Sequence, residues 1–290
     1  MYKKIALTVL CFFLAAVSVH AEGEDATPSP SPSEESQYAV SVSAMKAVLI
    51  DQDSGTVLFD KNSSEPADPG SLVKMMSVYL GITNLSGDQE LTMSDAAFQT
   101  YSHDSGVLWI NRGETMSAES AEYASMLTSA NDTTAMIAEG VSGDQDSFVS
   151  LMNQTASDLG MTGTVFSNIF GISDGTQTST AEDIALLVRK AGNQESFRTV
   201  FGAASYTIPA TNVQSSARTI VNDCGFLKSS DSHYNEEVTG GRIAGTDDTG
   251  YGMAVSASRG GTNLIAVVLE EADSASAYAD SLISCTISAV

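Results

Sequence analysis

A serine and a lysine stand three residues apart, at Ser71 and Lys74, directly after a Pro-Gly pair. Pro and Gly ahead of an apolar-periodic segment are helix-entry signals, so residues 71–82 are predicted to form a helix. Side chains at this spacing project from one face of a helix, and a neutral lysine amine there could remove the serine proton. Neutrality requires burial or nearby cations that lower the pKa of Lys74. The pair therefore predicts Ser71 as a nucleophile with Lys74 as its base.

The same spacing also occurs at Ser43 and Lys46. This second pair stands at the entrance to an apolar run that is predicted to be a strand. Residues three apart on a strand point to opposite faces of the sheet. Ser43 is therefore not expected to be activated by Lys46.

A further hydroxyl and an amide lie close together in Ser129-Ala130-Asn131. This segment falls between two predicted helices, over residues 118–128 and 131–140, and such a loop could bring both groups beside Ser71. The structural alternative is a helix N-cap, a position at which Ser and Asn are preferred. Because either residue alone would cap the helix, the presence of both favours a catalytic role for Ser129 and Asn131.

Hydrophobic patterning predicts strands at both ends of the chain and helices between them. Two hairpins are indicated, one over residues 47–50 and 56–59 and one over residues 252–258 and 263–269. Helices are predicted over residues 71–82, 118–128, 131–140, 147–159, 181–191 and 275–287. The two hairpins are expected to join in one antiparallel sheet packed with helices, with a mainly helical region over about residues 75–200. The predicted fold class is α+β.

Composition limits the classes of partner. The 290 residues include 13 basic and 36 acidic side chains, which gives a formal net charge of −23, and 42% of residues are hydrophobic. A field of that sign repels phosphate backbones, so nucleic acid is not an expected partner. The three histidines are scattered, and neither a metal site nor a cofactor is expected. Pairing of Cys224 with Cys285 stays open, because two cysteines in an exported chain of this length can pair without forming a disulfide framework.

The N-terminus indicates export. Lys3 and Lys4 precede an apolar run that ends in Val19-His20-Ala21, which predicts a signal peptide over residues 1–21 with cleavage after Ala21. Residues 22–40 are acidic and rich in Pro and Ser, so they are expected to be a disordered linker ahead of one domain over residues 41–290. Because the chain ends at Val290, just after the last predicted helix, any membrane tether is expected to be a retained signal segment.

Together these motifs resemble the low-molecular-mass D-alanyl-D-alanine carboxypeptidases, the S11 serine peptidases among the penicillin-binding proteins. The resemblance runs from about Ala44 to the C-terminus and is carried by AVLID at 47–51 with Ser54-Gly55, PGSLVKMM at 69–76, SAND at 129–132, Phe148 through Met152-Asn153, LGM at 159–161 and STAED at 179–183. It implies the penicillin-binding, β-lactamase-like transpeptidase fold. It also implies a location on the cell-wall side of a bacterial membrane.

The third family motif, Lys-Thr-Gly on the strand that lines the cleft, is altered in this sequence. The segment TDDTGY at residues 246–251 resembles the Thr-x-x-Ala-Gly-Tyr that follows the family triad. This register implies that the substrate-binding strand carries Arg242, Ile243, Ala244, Gly245 and Thr246. A shifted register on residues 238–240 keeps Thr-Gly but loses the cation and misplaces the downstream segment, and it remains as the alternative.

The replaced groups change what this strand could do. Arg242 keeps a cation that could hold the substrate carboxylate through two hydrogen bonds. Ile243 donates no hydrogen bond from its side chain, and Ala244 adds a methyl group where the family has glycine. The altered strand therefore predicts a weakened enzyme.

The family resemblance also implies the reaction. Ser71 would attack the carbonyl between two terminal D-alanines of a peptidoglycan stem peptide, release D-alanine and leave an acyl-enzyme that water hydrolyses. Ser129 would relay a proton to the leaving amine, Asn131 would hold Lys74 and the substrate amide, and the backbone N–H groups of Ser71 and Gly245 would bind the oxyanion. β-Lactams would acylate the same serine.

Two other classes of protein are weighed against this prediction. A class A β-lactamase needs a deacylating glutamate in the loop between the second and third motifs, and residues 140–181 contain no glutamate. A catalytically weakened or inactive relative that binds stem peptides or partners is the stronger alternative, because the third motif is altered.

Overall fold

The computed structural model of the protein describes residues 41–102, 106–246 and 250–286; the predicted signal segment 1–21, the linker 22–40 and residues 247–249 after the altered motif lie outside them. The strands are β1 (Lys46–Asp51), β2 (Val57–Lys61), β3 (Glu90–Thr92), β4 (Thr115–Ser117), β5 (Ser205–Ile208), β6 (Arg218–Val221), β7 (Val238–Thr246), β8 (Gly250–Arg259) and β9 (Thr262–Glu271). The helices are α1 (Lys74–Asn84), α2 (Asp95–Phe98), α3 (Ala118–Thr128), α4 (Asn131–Ser142), α5 (Gln145–Leu159), α6 (Ala181–Ala191), α7 (Glu195–Phe201) and α8 (Ser274–Thr286), and short 3₁₀ turns cover Gly70–Val73 and Gly225–Leu227.

The main sheet joins the two ends of the domain. Its five strands lie in the order β2-β1-β9-β8-β7, and every neighbouring pair is antiparallel. The contact between the N- and C-terminal hairpins is the β1–β9 pair, in which Val48 lies opposite Val267. The prediction of one α+β sheet built from both hairpins is confirmed. Strand β7, which carries the altered motif, is left at one edge.

Strand alternation in β9 explains why the sheet has a core on each face. Ile265, Val267 and Leu269 are buried in the cluster formed with helices α1, α3, α4, α5 and α6. Leu264, Ala266 and Val268 belong to a second cluster, beneath α8. A strand that is buried on both faces has a continuous apolar sequence, and residues 264–269 are all apolar.

Side-chain capping explains the start of helix α6, and the other helices are compared here with their predicted bounds. Helix α6 has the predicted bounds, because the Thr180 side chain accepts a hydrogen bond from the Asp183 backbone N–H and so caps its N-terminus. The final helix was predicted over 275–287 and is described from Ser274 to Thr286. Helices α2 and α7 and the two-stranded ribbons β3–β4 and β5–β6 were not predicted. Within the described residues, no helix is both long enough and apolar enough to cross a membrane.

Cys224 lies under the sheet as a buried free thiol. A side chain on the neighbouring Gly241 of β7 would place its Cβ 2.8 Å from the Cys224 sulfur, so glycine is required at this contact. Burial raises the pKa of Cys224 to about 12, which keeps the thiol protonated and unreactive. Cys224 therefore acts as a packing residue.

Candidate active site

Ser71 lies in the 3₁₀ turn Gly70–Val73, immediately before α1. The prediction placed Ser71 in the first turn of an α-helix; the tighter turn follows Gly70, which has φ of +50° and donates its backbone N–H to the Asp68 carboxylate over 2.9 Å. On the other side, Gly171 approaches so closely that a Cβ there would lie 2.1 Å from the Gly70 carbonyl oxygen. Glycine at 171 thus lets a neighbouring loop support the nucleophile.

Lys74, the first residue of α1, is buried, with 2% of its surface exposed. Its Nζ donates a hydrogen bond of 2.5 Å to the backbone carbonyl of Phe170. Burial, and after it the charge of Arg242, holds the pKa of Lys74 well below its usual range. A lysine with a lowered pKa is the form that can accept a proton near neutral pH.

Arg242 reaches Ser71 from strand β7 and is also fully buried. Its Nε donates to the Ser71 carbonyl oxygen over 3.1 Å, and one terminal nitrogen donates to Ser71 Oγ over 3.2 Å. The other terminal nitrogen donates to the carbonyls of Ser125 and Met126. The guanidinium therefore binds both Ser71 and the end of α3.

Arg242 completes the C-terminal end of α3. The last four carbonyls of an α-helix lack intrahelical partners, and cations are favoured near that end of the macrodipole. Arg242 supplies donors to two of the last carbonyls of α3, and burial lowers its pKa only to about 10, so it stays protonated at neutral pH. The charge that lowers the Lys74 pKa is therefore permanent.

Ser129 and Asn131 lie at the junction of α3 and α4. Ser129 ends α3 in a left-handed conformation with φ of +60°, which is costly for a residue other than glycine. Asn131 begins α4, donates its backbone N–H to the Gly106 carbonyl over 2.6 Å and places its side-chain amide beside Gly106. Ser129 faces the same cavity as Ser71.

Strand β7 forms the opposite wall of that cavity. Ile243, Ala244 and Gly245 line it, and Thr246 ends the strand opposite Gly250. The Ala244 methyl points toward the nucleophile turn, since a Cβ on Gly70 would lie 3.9 Å from it. Ile243 is half-buried, and it borders the cavity as well as packing against the second cluster. At Gly245, φ is +117° and a Cβ would lie 2.1 Å from the Gly250 carbonyl oxygen, so only glycine fits.

The alternative register on residues 238–240 lies elsewhere on β7. A Cβ at Gly240 would lie 2.3 Å from the Phe201 ring, and Thr239 lines a different cavity, together with Phe201 and Ser256. The structure thus places residues 242–245, and not 239–240, beside Ser71.

The cavity between the two walls has a volume of about 600 Å³. Its lining comprises Asp68, Pro69, Gly70, Ser71, Ser129, Gly171, Ile172, Ser173, Asp223, Ile243, Ala244, Gly245, Gly250, Tyr251, Gly252, Leu269 and Glu270. This volume lies in the usual range of about 300–1,000 Å³ for small-molecule sites. Ser71 therefore opens into a cavity of the size of a small-molecule site.

The second Ser-x-x-Lys pair has a structural role. Ser43 donates to the Asp280 carboxylate over 2.9 Å, and Lys46 on β1 forms an ion pair with Glu270 at 2.5 Å. These contacts tie the N-terminal segment to α8 and β9. The two side chains of this pair therefore have separate partners, although Ser43 precedes β1 and strand alternation does not apply to it.

Two groups at the site were missed by the sequence analysis. The Phe170 carbonyl, which binds Lys74, is a backbone group and leaves no signal in the residue type. Asp223 lines the cavity from the loop after β6, and nothing in its sequence neighbourhood matches a catalytic motif. Only the tertiary fold brings either group to Ser71.

Comparison with known proteins identifies the family of the chain. The family model peptidase S11, described as D-alanyl-D-alanine carboxypeptidase, matches residues 32–273. The chain is 30% identical over 241 residues to D-alanyl-D-alanine carboxypeptidase DacC of Escherichia coli strain K12, across 80% of this chain and 57% of that protein. It is 29% identical to D-alanyl-D-alanine carboxypeptidase DacF of Bacillus subtilis strain 168, across 78% of this chain and 57% of that protein. The chain thus spans little more than half the length of these relatives.

Solved structures show the same fold. The crystal structure of the Streptomyces K15 DD-transpeptidase superposes with a TM-score of 0.77 at 23% sequence identity, covering 86% of this chain and 97% of that one. The family match extends over most of the chain and includes both hairpins and the helical region between them. The chain belongs to the S11 peptidase family, the D-alanyl-D-alanine carboxypeptidases.

Proposed function

We propose that this protein is a serine-type D-Ala-D-Ala carboxypeptidase that acts on peptidoglycan stem peptides through an acyl-enzyme on Ser71. The observation that carries the proposal is the pairing of an accessible serine with a buried lysine of lowered pKa, one helical turn further along. Membership of the family supports the same substrate class.

The proposed reaction begins when neutral Lys74 takes the Ser71 proton. The Ser71 oxygen then forms a bond to the carbonyl carbon of the penultimate D-alanine, and the resulting oxyanion is stabilised by the backbone N–H groups of Ser71 and Gly245. The C–N bond to the last residue breaks as Ser129 passes a proton to the leaving amine. Asn131 holds Lys74 and the substrate amide, and water finally hydrolyses the ester.

The protein is further proposed to be exported, to work at the cell wall and to be acylated by β-lactams. Support for export comes from the predicted signal over residues 1–21, and the curated relatives that it matches are named for a carboxypeptidase activity on D-alanyl-D-alanine. N-terminal sequencing of protein from the native cell tests the signal. A mature N-terminus at Glu22 is expected, whereas a start at Met1 would contradict cleavage.

A second candidate is a binding protein that recognises stem peptides without turning them over. The specific observation in its favour is the strand wall, where Ile243 supplies no hydroxyl and the Arg242 guanidinium is bonded to Ser71 and to α3. Both proposals place the peptide end in the same cavity, and they differ only in bond cleavage.

Intact-mass spectrometry after benzylpenicillin treatment separates the two candidates. The enzyme proposal expects a single covalent adduct that Ser71→Ala abolishes and the matched Ser43→Ala variant retains. It also expects release of D-alanine from diacetyl-Lys-D-Ala-D-Ala. A folded protein that forms no adduct and releases no D-alanine would be the binding protein.

A further inference from the structure

A second cavity lies at the ends of helices α1 and α3 that are remote from Ser71. Its volume is about 380 Å³, within the range of small-molecule sites, and it shares no lining residue with the cavity at Ser71. The end of α1, the first half of α3 and the start of α7 form its walls. We call it the acidic cavity and define it by Ile82, Leu85, Glu119, Glu122, Glu195 and Val200.

The acidic cavity is lined by three carboxylates, on Glu119, Glu122 and Glu195. None of its described lining residues is a lysine, an arginine or a histidine. Arg198, the basic residue of α7, lines a different cavity and donates a hydrogen bond of 2.6 Å to the Gly192 carbonyl. The described walls therefore carry negative charge and supply no cation to offset it.

Two of the three carboxylates have a structural explanation. Glu119 and Glu195 each lie in the first turn of a helix, where the macrodipole favours an acidic side chain. Both are exposed to solvent, and Glu119 also accepts a hydrogen bond of 3.4 Å from the Tyr206 hydroxyl. These two residues alone would indicate no ligand.

Glu122 has no such explanation, because it lies in the middle of α3 and is only 4% exposed. Its Oε1 is buried and has no hydrogen-bond partner in the part of the chain that the structure describes. Carboxylates that are removed from water are ordinarily paired or hydrogen-bonded, since an unpaired buried charge is costly. A buried acceptor that lines a cavity and lacks a partner therefore points to a ligand that supplies the donor.

The electrostatics of Glu122 agree with a cationic ligand. Burial, and after it the charge of Glu119, raises the pKa of Glu122 to about 7. A cation bound beside the carboxyl group favours its ionised form and so lowers this pKa. Binding of a cation near neutral pH would therefore be coupled to ionisation of Glu122.

The lining also limits the chemical class of the ligand. Across residues 41–102, 106–246 and 250–286, no group of His, Cys, Asp or Glu side chains is arranged to hold a metal ion. Ile82, Leu85 and Val200 form apolar walls that suit an alkyl chain. An ammonium group has three donors and no acceptor, which suits a cavity lined by three carboxylates.

We propose that the acidic cavity is a binding site for an aliphatic primary ammonium group that pairs with the Glu122 carboxylate. The alkyl chain lies on the apolar residues of α1 and α7. The same chemistry is offered by a free amine and by a lysine side chain of a polypeptide. The net charge of −23 favours the approach of either cation.

Titration calorimetry with pentylammonium tests the proposal, and 1-pentanol is the neutral control. At about pH 8, pentylammonium is expected to bind at least about tenfold more tightly than 1-pentanol, because only the ammonium pairs with a carboxylate. Glu122→Gln should weaken pentylammonium binding by at least about tenfold. Glu236→Gln, which removes an exposed carboxylate from the loop before β7, should leave it unchanged. Equal affinity for the two probes, or equal affinity for pentylammonium in the wild-type and Glu122→Gln proteins, would overturn the proposal.

Protonation of Glu122 provides a second readout. Wild-type affinity for pentylammonium should fall severalfold from about pH 8 to about pH 6, because the neutral carboxyl group no longer attracts the cation. The other titratable groups around the cavity are Glu119 and Tyr123 on α3, Glu195 on α7 and Tyr206 on β5. All of these remain in Glu122→Gln, which should therefore lose most of the pH dependence. A pH dependence as large in the variant as in the wild type would contradict the role of Glu122.

The peptide acetyl-Gly-Lys-Gly-amide identifies the source of the ammonium group. Tighter binding of this peptide than of pentylammonium supports a lysine of a polypeptide, and the reverse order supports a free amine. Failure of the folded wild-type protein to bind either probe would overturn the site. Circular dichroism establishes that each variant is folded.

Discussion

The two walls of the cavity differ in how closely their residues match the motifs of the family. The helical wall, defined by Ser71, Lys74, Ser129 and Asn131, keeps the residue types of the first two family motifs. The strand wall, defined by residues 242–245 of β7 together with Asp223, departs from the third. The residues proposed to make and break bonds are thus retained, while the residues proposed to recognise the peptide end have changed. The comparison therefore separates residues proposed to act in bond cleavage from residues proposed to act in substrate recognition.

The largest expected effect comes from breaking the helical wall with Lys74→Met. Loss of the buried base should lower the rate of penicillin acylation by about 100- to 10,000-fold, the usual contribution of general base catalysis. The matched variant Lys46→Met removes the lysine of the other Ser-x-x-Lys pair and should keep acylation within about fivefold, because a partly exposed ion pair contributes at most about 1 kcal/mol. Stopped-flow acylation rates provide the measurement. Equal losses in both variants would refute the assignment of the base.

A smaller effect is expected when the strand wall is restored with Ile243→Thr and Ala244→Gly. A hydroxyl at 243 regains a hydrogen bond to the substrate carboxylate, worth about 1.5–3 kcal/mol, or about 10- to 100-fold in rate. The Ala244 change removes the methyl that points at the nucleophile turn. D-Alanine release from diacetyl-Lys-D-Ala-D-Ala should rise accordingly.

The control for this gain is the same double change in a Ser71→Ala background, which should release no D-alanine. Unchanged turnover in a folded double variant would mean that residues 243 and 244 do not contact the terminal carboxylate.

The smallest effect concerns Arg242, which connects the two walls. Acylation requires neutral Lys74, so its rate should rise with pH through the Lys74 pKa. The Arg242 charge is one cause of the low Lys74 pKa, and burial is the larger one. Arg242→Gln should therefore move the acidic limb of the pH–rate profile to higher pH. Arg259→Gln, a cation change at the end of β8, should leave the limb in place, and a limb that moves downward would contradict the assignment.

The larger elements were predictable because their periodicity is long enough to detect. Both hairpins of the sheet and helices α3 and α6 follow directly from apolar spacing and cap residues. Ribbons β3–β4 and β5–β6 have strands of three or four residues, too short for alternation to be distinguished from chance. The brief helix α7 was missed for the same reason.

At the site, the sequence indicated residue types but not their surroundings. Ser71 and Lys74 could be paired by spacing, since one short element carries both. The direction of the Arg242 side chain could not be predicted, because it depends on the distance between β7 and the end of α3. Sequence reasoning expected Arg242 to hold the substrate, and the structure shows it bonded to Ser71. Asp223 was missed because it lies in a loop whose sequence contains no catalytic motif.

The contact between Lys74 and the Phe170 carbonyl has a consequence for how the family can diverge. A main-chain oxygen is present whatever side chain position 170 carries, so substitution there does not need a compensating change at Lys74. Covariation between the two positions is therefore expected to be weak in aligned sequences, although they are in direct contact. The contact depends instead on the path of the backbone past Gly171. Substitution of this glycine is expected to disturb it, because any Cβ there would clash with the Gly70 carbonyl.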